Sequence, residues 1–568
     1  MAKIITFVKR TYHMLEIFKN GSSIFKKKQE DILSAAFIIA FSVALSRFLG
    51  LIRYRLLASH FGNDIKLLDS FIAASILPDA IFEVLIFGAI ALAFIPVFSQ
   101  YLTKEKLQKA WDLSSSMITL ALITFTLFTV IILLLADFIA PLIAPGLVAK
   151  EPATRLLIGS LLRIMIFAQL FFVVSIFLTG ILQSFQRFLV PAIASICYNL
   201  GIILAIIFLT PYIGIYAPAV GMILGALLHL LIQLPLAFAL GFRYRPKLDF
   251  KNKDVRTTFA LMWPRSFSLG LIRLADIINV AIASIAAVGS IVAFNFAQVL
   301  QLVPTSLFAA SLAQAALPSL SIQFNSNRSQ TFKKLFAESF HQIIFLVLPT
   351  ASILAILRIP IVRLVFGAKD FPWDITVLTG RLLIAFAIGI IGQSLSLLLT
   401  RSFYAIKDSA TPVKIEIFTI SLNIIASFVL VLYLKLPLVF LAVNYSIANL
   451  LNATLLFYFL NRKVKFELKP LLVPALKMLL ITAITAISLY IPMKFLDQLV
   501  FDTTHVVGLI LLTGTAVIAG LLVYIALSWL FRIQEVSIFY NLGKRVISFP
   551  SRLAKPAPTV MDAQQPNP

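Results

Sequence analysis

Cysteine is nearly absent from this chain. Cys197 is the only one in 568 residues, which excludes a disulfide framework and a thiol metal site. Charge is scarce too: Asp, Glu, Lys and Arg make up 13% of the residues, against about 25% in soluble domains. Acidic residues number 24 against 48 basic ones. There is no Walker A loop, Gly-x-Ser-x-Gly elbow, His-Glu-x-x-His helix or Cys-x-x-Cys pair, so no motif for catalysis or nucleotide hydrolysis is present. His229 and His341 each stand alone in an apolar run and read as hydrogen-bonded packing residues rather than ligands.

What is there is apolar: 60% of the residues are hydrophobic and the mean hydropathy is +0.99. Runs of roughly 20 apolar residues are long enough to cross a bilayer, and about fourteen can be counted. They run from spans centred near Ala40 and Leu85 to spans centred near Ile481 and Ala516. The expected fold class is therefore an all-α polytopic membrane protein.

The net charge of +24 does not indicate nucleic acid, because the basic residues sit in short clusters between spans. Lys104 to Lys109, Arg243 to Arg256, Arg328 to Lys334, Arg462 to Lys469 and Arg532 to Lys555 all fall on the side of the basic N-terminus. That side carries roughly three times the Lys and Arg of the other, which places both termini in the cytoplasm. Residues 1–31 read as a basic interfacial arm rather than a cleavable signal, and the Pro-, Gln- and Asn-rich end of the tail as disordered.

Leu49-Gly50-Leu51-Ile52-Arg53 recurs letter for letter as Leu269-Gly270-Leu271-Ile272-Arg273. A shift of about 220 residues also brings Leu178-Thr179 onto Leu399-Thr400 and Pro191 onto Pro412. An offset of six spans preserves orientation, so two parallel six-helix repeats should flank a central cavity, with two extra C-terminal helices. The expected division is an N-terminal lobe at 32–242, a basic linker at 243–256, a C-terminal lobe at 257–462, the extra pair at 468–532 and a tail at 533–568.

Charges inside spans are the candidates for function, since each costs at least about 2.5 kcal/mol in hydrocarbon unless it meets water or a partner. Arg47 and Arg53 lie in the first span, and Arg55 sits where it can snorkel to headgroups. Asp69, Asp79 and Glu83 follow in the second span, Asp69 either offsetting that charge or capping its helix. The seventh span holds Arg265, Arg273, Asp276 and Asn279. Arg273 and Asp276, at i and i+3, form either a structural ion pair or part of a cavity wall. Arginines from both halves would suit a pyrophosphate, which guanidinium groups bind bidentately.

The stretch Ser46-Arg47-Phe48-Leu49-Gly50-Leu51-Ile52-Arg53, with Phe61-Gly62, Asp69-Ser70-Phe71, Leu77-Pro78, Gly88-Ala89 and Ala93-Phe94-Ile95-Pro96, resembles the N-terminal signature of the MurJ (MviN) lipid II flippases. Ala313 to Ser321 and the segment Ser402 to Ile415 are similar to later parts of that family. The resemblance implies a flippase of the multidrug/oligosaccharidyl-lipid/polysaccharide exporter superfamily, moving undecaprenyl-pyrophosphate-linked peptidoglycan precursor across the bacterial inner membrane by alternating access. It implies no enzyme activity and a monomer among membrane lipids.

The family's cavity residues carry over to Arg47, Arg53 and Asp69. Its arginine pair after Leu-Pro falls on Phe82 and Glu83, and an arginine of its eighth helix falls on Val299, beside Gln298 and Gln301. Arg265 and Arg273 would then carry more of the anion binding. The resemblance also points to sodium near Asn279 and Asn423, though without the acidic ligands. Without a nucleotide motif, any energy input would come from an ion gradient, the membrane potential, or substrate supply and removal. A related exporter of another lipid-linked sugar or of drugs is the alternative. A membrane glycosyltransferase using Asp370 and Asp374 is a more distant one.

Overall fold

The computed structural model describes residues 32–84, 94–103, 106–249, 253–326, 328–369, 371–499, 502–503 and 505–538, without side chains at 32–41, 261, 263–265, 268 and 498–499. The N-terminal arm, most of the tail, Gly88-Ala89, Asp370 and the side chain of Arg265 lie outside the described residues. Within them the chain is helical, as apolar segments in lipid must be to satisfy their own backbone groups.

Fourteen long helices can be followed in order. They are α1 (Ile32–Phe61), α2 (Ile65–Val84), α3 (Leu107–Ile143), α4 (Ala153–Ser184), α5 (Leu189–Ile213), α6 (Tyr216–Ala239) and α7 (Lys253–Ala286). Then come α8 (Ser290–Asn325), α9 (Ser329–Ile356), α10 (Trp373–Ala405), α11 (Ala410–Tyr433), α12 (Val439–Val464), α13 (Leu468–Leu499) and α14 (Val506–Leu530). Twelve of them, α3 to α14, are long and apolar enough among the described residues to cross a membrane. The tally omits α1, which carries Arg47, Arg53 and Arg55, and α2, which carries Lys66, Asp69, Asp79 and Glu83. The expected number of fourteen spans depends on these two charged helices.

The repeat appears as packing. In the first half α1 packs on α5, α2 and α3 on α4, and α6 on both α4 and α5. Each contact recurs six helices later: α7 on α11, α8 and α9 on α10, and α12 on both α10 and α11. A polar bridge recurs with it. Ser175 Oγ lies 2.6 Å from His229 Nδ1 between α4 and α6, and Ser396 Oγ donates to Asn452 Oδ1 at 3.3 Å between α10 and α12. The two extra helices α13 and α14 pack on each other, and α13 lies along α9.

Close approach sets the sequence at some of these contacts. A Cβ on Gly225 of α6 would come within 2.4 Å of the Tyr198 carbonyl oxygen on α5. Gly221 is equally hemmed in by Ile202 and Ala205, so this Gly-x-x-x-Gly pair marks helix packing.

The halves meet at one end, where α1 turns into α2. Tyr54 of α1 sits edge-on to Phe296 of α8 and to Phe366 of a short helix, Arg358–Phe366. Arg55 Nη1 donates to the Leu364 carbonyl at 2.5 Å, so Arg55 holds protein backbone rather than a lipid headgroup. Asp69 of α2 accepts the backbone N–H groups of Gly289 at 2.5 Å and Val292 at 2.8 Å. Lys150 Nζ donates to the carbonyls of Ile285 and Ala286, the last residues of α7, at 2.7 and 2.9 Å. The turn between α7 and α8 is thus held from both sides by opposite charges, each at the helix end whose dipole it complements. At the other end the first turn of α7 is tied to the first half by a hydrogen bond from the Tyr101 hydroxyl to Asp254 and by Val255, buried beside Phe98 and Trp111.

Candidate functional site

A cavity of about 640 Å³ lies between the halves, extending from the closed end toward Ser42, Gln183 and Phe188. On α1, Arg47, Gly50, Arg53 and Tyr54 fall on one face by the helical period. Asp79 and Glu83 do so on α2, Arg273 and Asp276 on α7, and Asn295, Gln298 and Val299 on α8. Asn199 of α5 fixes this face of α1: its Nδ2 donates to the Ser46 hydroxyl at 3.1 Å and to the Ser46 carbonyl at 3.3 Å.

Of the residues expected to bind substrate, Arg47, Arg53, Arg273, Asp276 and Gln298 therefore line one space. The side chain of Arg265 is not described, although its backbone belongs to α7. Two residues go elsewhere. Asp69 is buried as the cap of α8, in a partner helix rather than its own, and Gln301 is buried where its Nε2 donates to Gln393 Oε1 at 2.5 Å. Neither lines the cavity.

The charge of the wall differs from the cationic surface expected. Arg47, Arg53 and Arg273 are matched by Asp79, Glu83 and Asp276 among the described lining residues. Arg273 is committed twice, Nη2 to Glu83 across the lobes and Nη1 to Asp276 on its own helix at 2.7 Å. Asp276 also accepts a bond from Gln298 Nε2 at 3.4 Å. Arg53 lies over the Tyr54 ring, 4.8 Å from its centroid, and shares a side recess with Asp79 and Ser75. Arg47 is exposed to the cavity and has neither hydrogen bond nor ion pair to another described residue. Its donors are available on the cavity side.

Where the resemblance expects cations, Phe82 packs instead on Phe172 and Tyr198, ring centroids 4.1 and 5.9 Å apart, and Glu83 is the partner of Arg273. Asn279 and Asn423 do meet: Asn279 Nδ2 donates to Asn423 Oδ1 at 3.5 Å, and Ser427 Oγ donates to Asn279 Oδ1 at 3.4 Å. Both amide oxygens already face donors. No group of three or more His, Cys, Asp or Glu that could hold a metal exists among the described residues. A hard cation needs several free oxygens, and this neutral, internally bonded set does not fit sodium.

The sequence reading passed over Tyr54, Tyr198, Asn199 and Asn295, all on the cavity wall. Asn199 and Asn295, amides in apolar runs, carried the signal that could have found them. Lys150 and Gly289 were also missed, since a loop lysine and a turn glycine have no pattern of their own.

A family model described as lipid II flippase MurJ matches residues 57–513. The chain belongs to this family. Membership makes it a transporter rather than an enzyme, and the glycosyltransferase reading is set aside. The lipid II flippase MurJ of Burkholderia cenocepacia is 27% identical over 78% of this chain and 86% of its own length. Among solved structures, a lipid II flippase MurJ in an inward closed conformation superposes with a TM-score of 0.70 at 22% identity, covering 87% of this chain and 98% of that one. An inward-facing multidrug resistance MATE transporter of the MOP superfamily gives 0.64 at 13% identity, over 76% of this chain and 98% of its own. The MurJ-like fold thus covers 87% of the chain, and it is shared with a multidrug resistance MATE family transporter.

Proposed function

We propose that this protein carries lipid II, the undecaprenyl-pyrophosphate-linked peptidoglycan precursor, from the inner to the outer leaflet of a bacterial cytoplasmic membrane by alternating access. Arg47 carries the reading. It is a guanidinium with free donors inside a cavity between two pseudo-equivalent lobes, where a pyrophosphate can take it bidentately. Family membership supplies the class of substrate. The excess of basic residues on one side puts both termini in the cytoplasm, so the α1–α2 end faces outward and the cavity faces inward.

On this reading a headgroup enters from the cytoplasm and its pyrophosphate docks on Arg47. The outer contacts of Asp69, Lys150 and Arg55 then break as the lobes rock. The division into lobes at 32–242 and 257–462 with an added pair at 468–532 accords with the recurring helix contacts. The membrane potential is the simplest driving force, since the moving charge is anionic and the Asn279–Asn423 cluster lacks free ligands for sodium. One chain encloses the whole cavity, which favours a monomer.

Depletion of the protein should trap the lipid-linked precursor in the inner leaflet, and an Arg47→Ala chain should not restore transport. Full restoration by that variant would overturn the role given to Arg47. A second reading, export of a different lipid-linked oligosaccharide, is favoured by one observation: among the described residues, three lining arginines stand beside three lining carboxylates. Binding of the purified protein to polyprenyl pyrophosphates bearing different sugars separates the two.

A further inference from the structure

Arg273 has two carboxylate partners that differ in kind. Asp276 shares its helix, has a side chain only 15% exposed and takes a second bond from Gln298. Glu83 reaches from the opposite lobe, has a side chain 38% exposed, and has no other hydrogen bond or ion pair to a described residue. Asp276 is therefore built in, whereas Glu83 can leave without stranding a buried group. Both terminal nitrogens of Arg273 already hold a carboxylate, so an incoming phosphate must compete with Glu83 or Asp276 for the charge of that guanidinium. Arg47, on the same cavity, has no such competitor.

We propose that Glu83 is an internal stand-in for substrate phosphate: it holds Arg273 and ties α2 to α7 until a pyrophosphate anchored on Arg47 displaces it. This rests on the pyrophosphate reading of the cavity and adds a specificity-determining residue to it. A bound anion must outcompete one carboxylate. A monoanionic headgroup offers no more charge than Glu83 itself, whereas a pyrophosphate brings more charge to a cavity that Arg47 and Arg273 both line. The same exchange removes a tie between the lobes, so occupancy of the site and freedom of the lobes to rock become one event.

The test is binding of farnesyl pyrophosphate, with farnesyl monophosphate as the comparison, to the detergent-solubilised full-length chain and its Glu83→Gln, Arg273→Ala and doubly substituted variants. Glu83→Gln is close to isosteric, and a thermal melt of each variant confirms that it is folded. The expected result is pyrophosphate binding about 5- to 10-fold tighter in Glu83→Gln, with the preference over monophosphate reduced. No such gain is expected when Arg273 is already Ala. Spin labels on α2 and α7 should report, in ligand-free Glu83→Gln, the separation that wild type reaches only with ligand. Unchanged or weaker binding in Glu83→Gln, or an equal gain in the Arg273→Ala background, overturns the role of Glu83 while leaving the cavity reading intact. Failure of wild type to bind the pyrophosphate at all overturns both.

Discussion

Asp69 and Lys150, both in the N-terminal half, grip the two ends of one turn in the C-terminal half. Asp69 accepts N–H groups at the start of α8, and Lys150 donates to carbonyls at the end of α7. Neither residue lines the cavity, yet both tie the two halves together at its closed end.

Replacing Asp69 by Asn removes the charge and one acceptor from two buried N–H groups, which should weaken the closed end by about 1–3 kcal/mol. A cysteine placed at Ser75, on the cavity wall, would then react faster with a membrane-impermeant thiol reagent added from outside. Equal labelling rates with and without the Asp69 change would show that this contact does not hold the gate.

Gly289 has φ +87°, and a Cβ there would come within 2.2 Å of Ile375 Cδ1. Gly289→Ala should therefore strain the turn by roughly 1–3 kcal/mol. The expected outcome is a lower melting temperature together with faster outside labelling at position 75, because the same turn presents the N–H that Asp69 accepts. A melt that matches wild type would contradict it.

At Gly225 the added Cβ would press on Tyr198, whose ring packs against Phe82 on the cavity wall. Gly225→Ala should destabilise the α5–α6 contact by about 1–3 kcal/mol. It should also weaken ligand binding, a two-part outcome that Gly514→Ala, at a position with nothing within 4 Å, should not reproduce.

In the loop between α10 and α11, burial works against the charge of Asp408, but the Lys463 ammonium and Thr411 outweigh it and hold its carboxyl down at about 2. A depressed carboxylate stabilises the fold above its unfolded value, near about 4, and loses that contribution as pH falls through about 2. Lys463→Met should lower the melting temperature at pH 7 and make progressively less difference below pH 4. A difference independent of pH would show that the contact is not electrostatic.

The helical class, the repeat and much of the cavity wall were legible because each is a local pattern. Arginines at a helical spacing in an apolar run must face something wet, and Arg47, Arg53, Arg273, Asp276 and Gln298 do. Asp69 and Gln301 were misplaced because which face of a helix meets the cavity depends on how the whole bundle is rotated. Periodicity fixes angles within one helix and says nothing of its neighbours. The neutral sum of the charges on the described wall residues was hidden for a related reason. Glu83 was visible as a charge, but that it spends itself on Arg273 is a fact about two helices far apart in sequence.

The grip on the α7–α8 turn has one more consequence. Asp69 and Lys150 bind peptide groups, not side chains, so these two contacts need no particular residue in the C-terminal half apart from the room and backbone freedom that Gly289 provides, whereas the neighbouring bond from the Gly146 N–H to Ser284 Oγ at 3.0 Å does need its hydroxyl. A change of side chain at the exposed Ile285 or Ala286 leaves these peptide contacts in place, while a change at either charged residue removes one of them; Val292 is fully buried and is constrained by packing. For the two charged contacts, the side-chain requirement therefore falls on the half that supplies the charges.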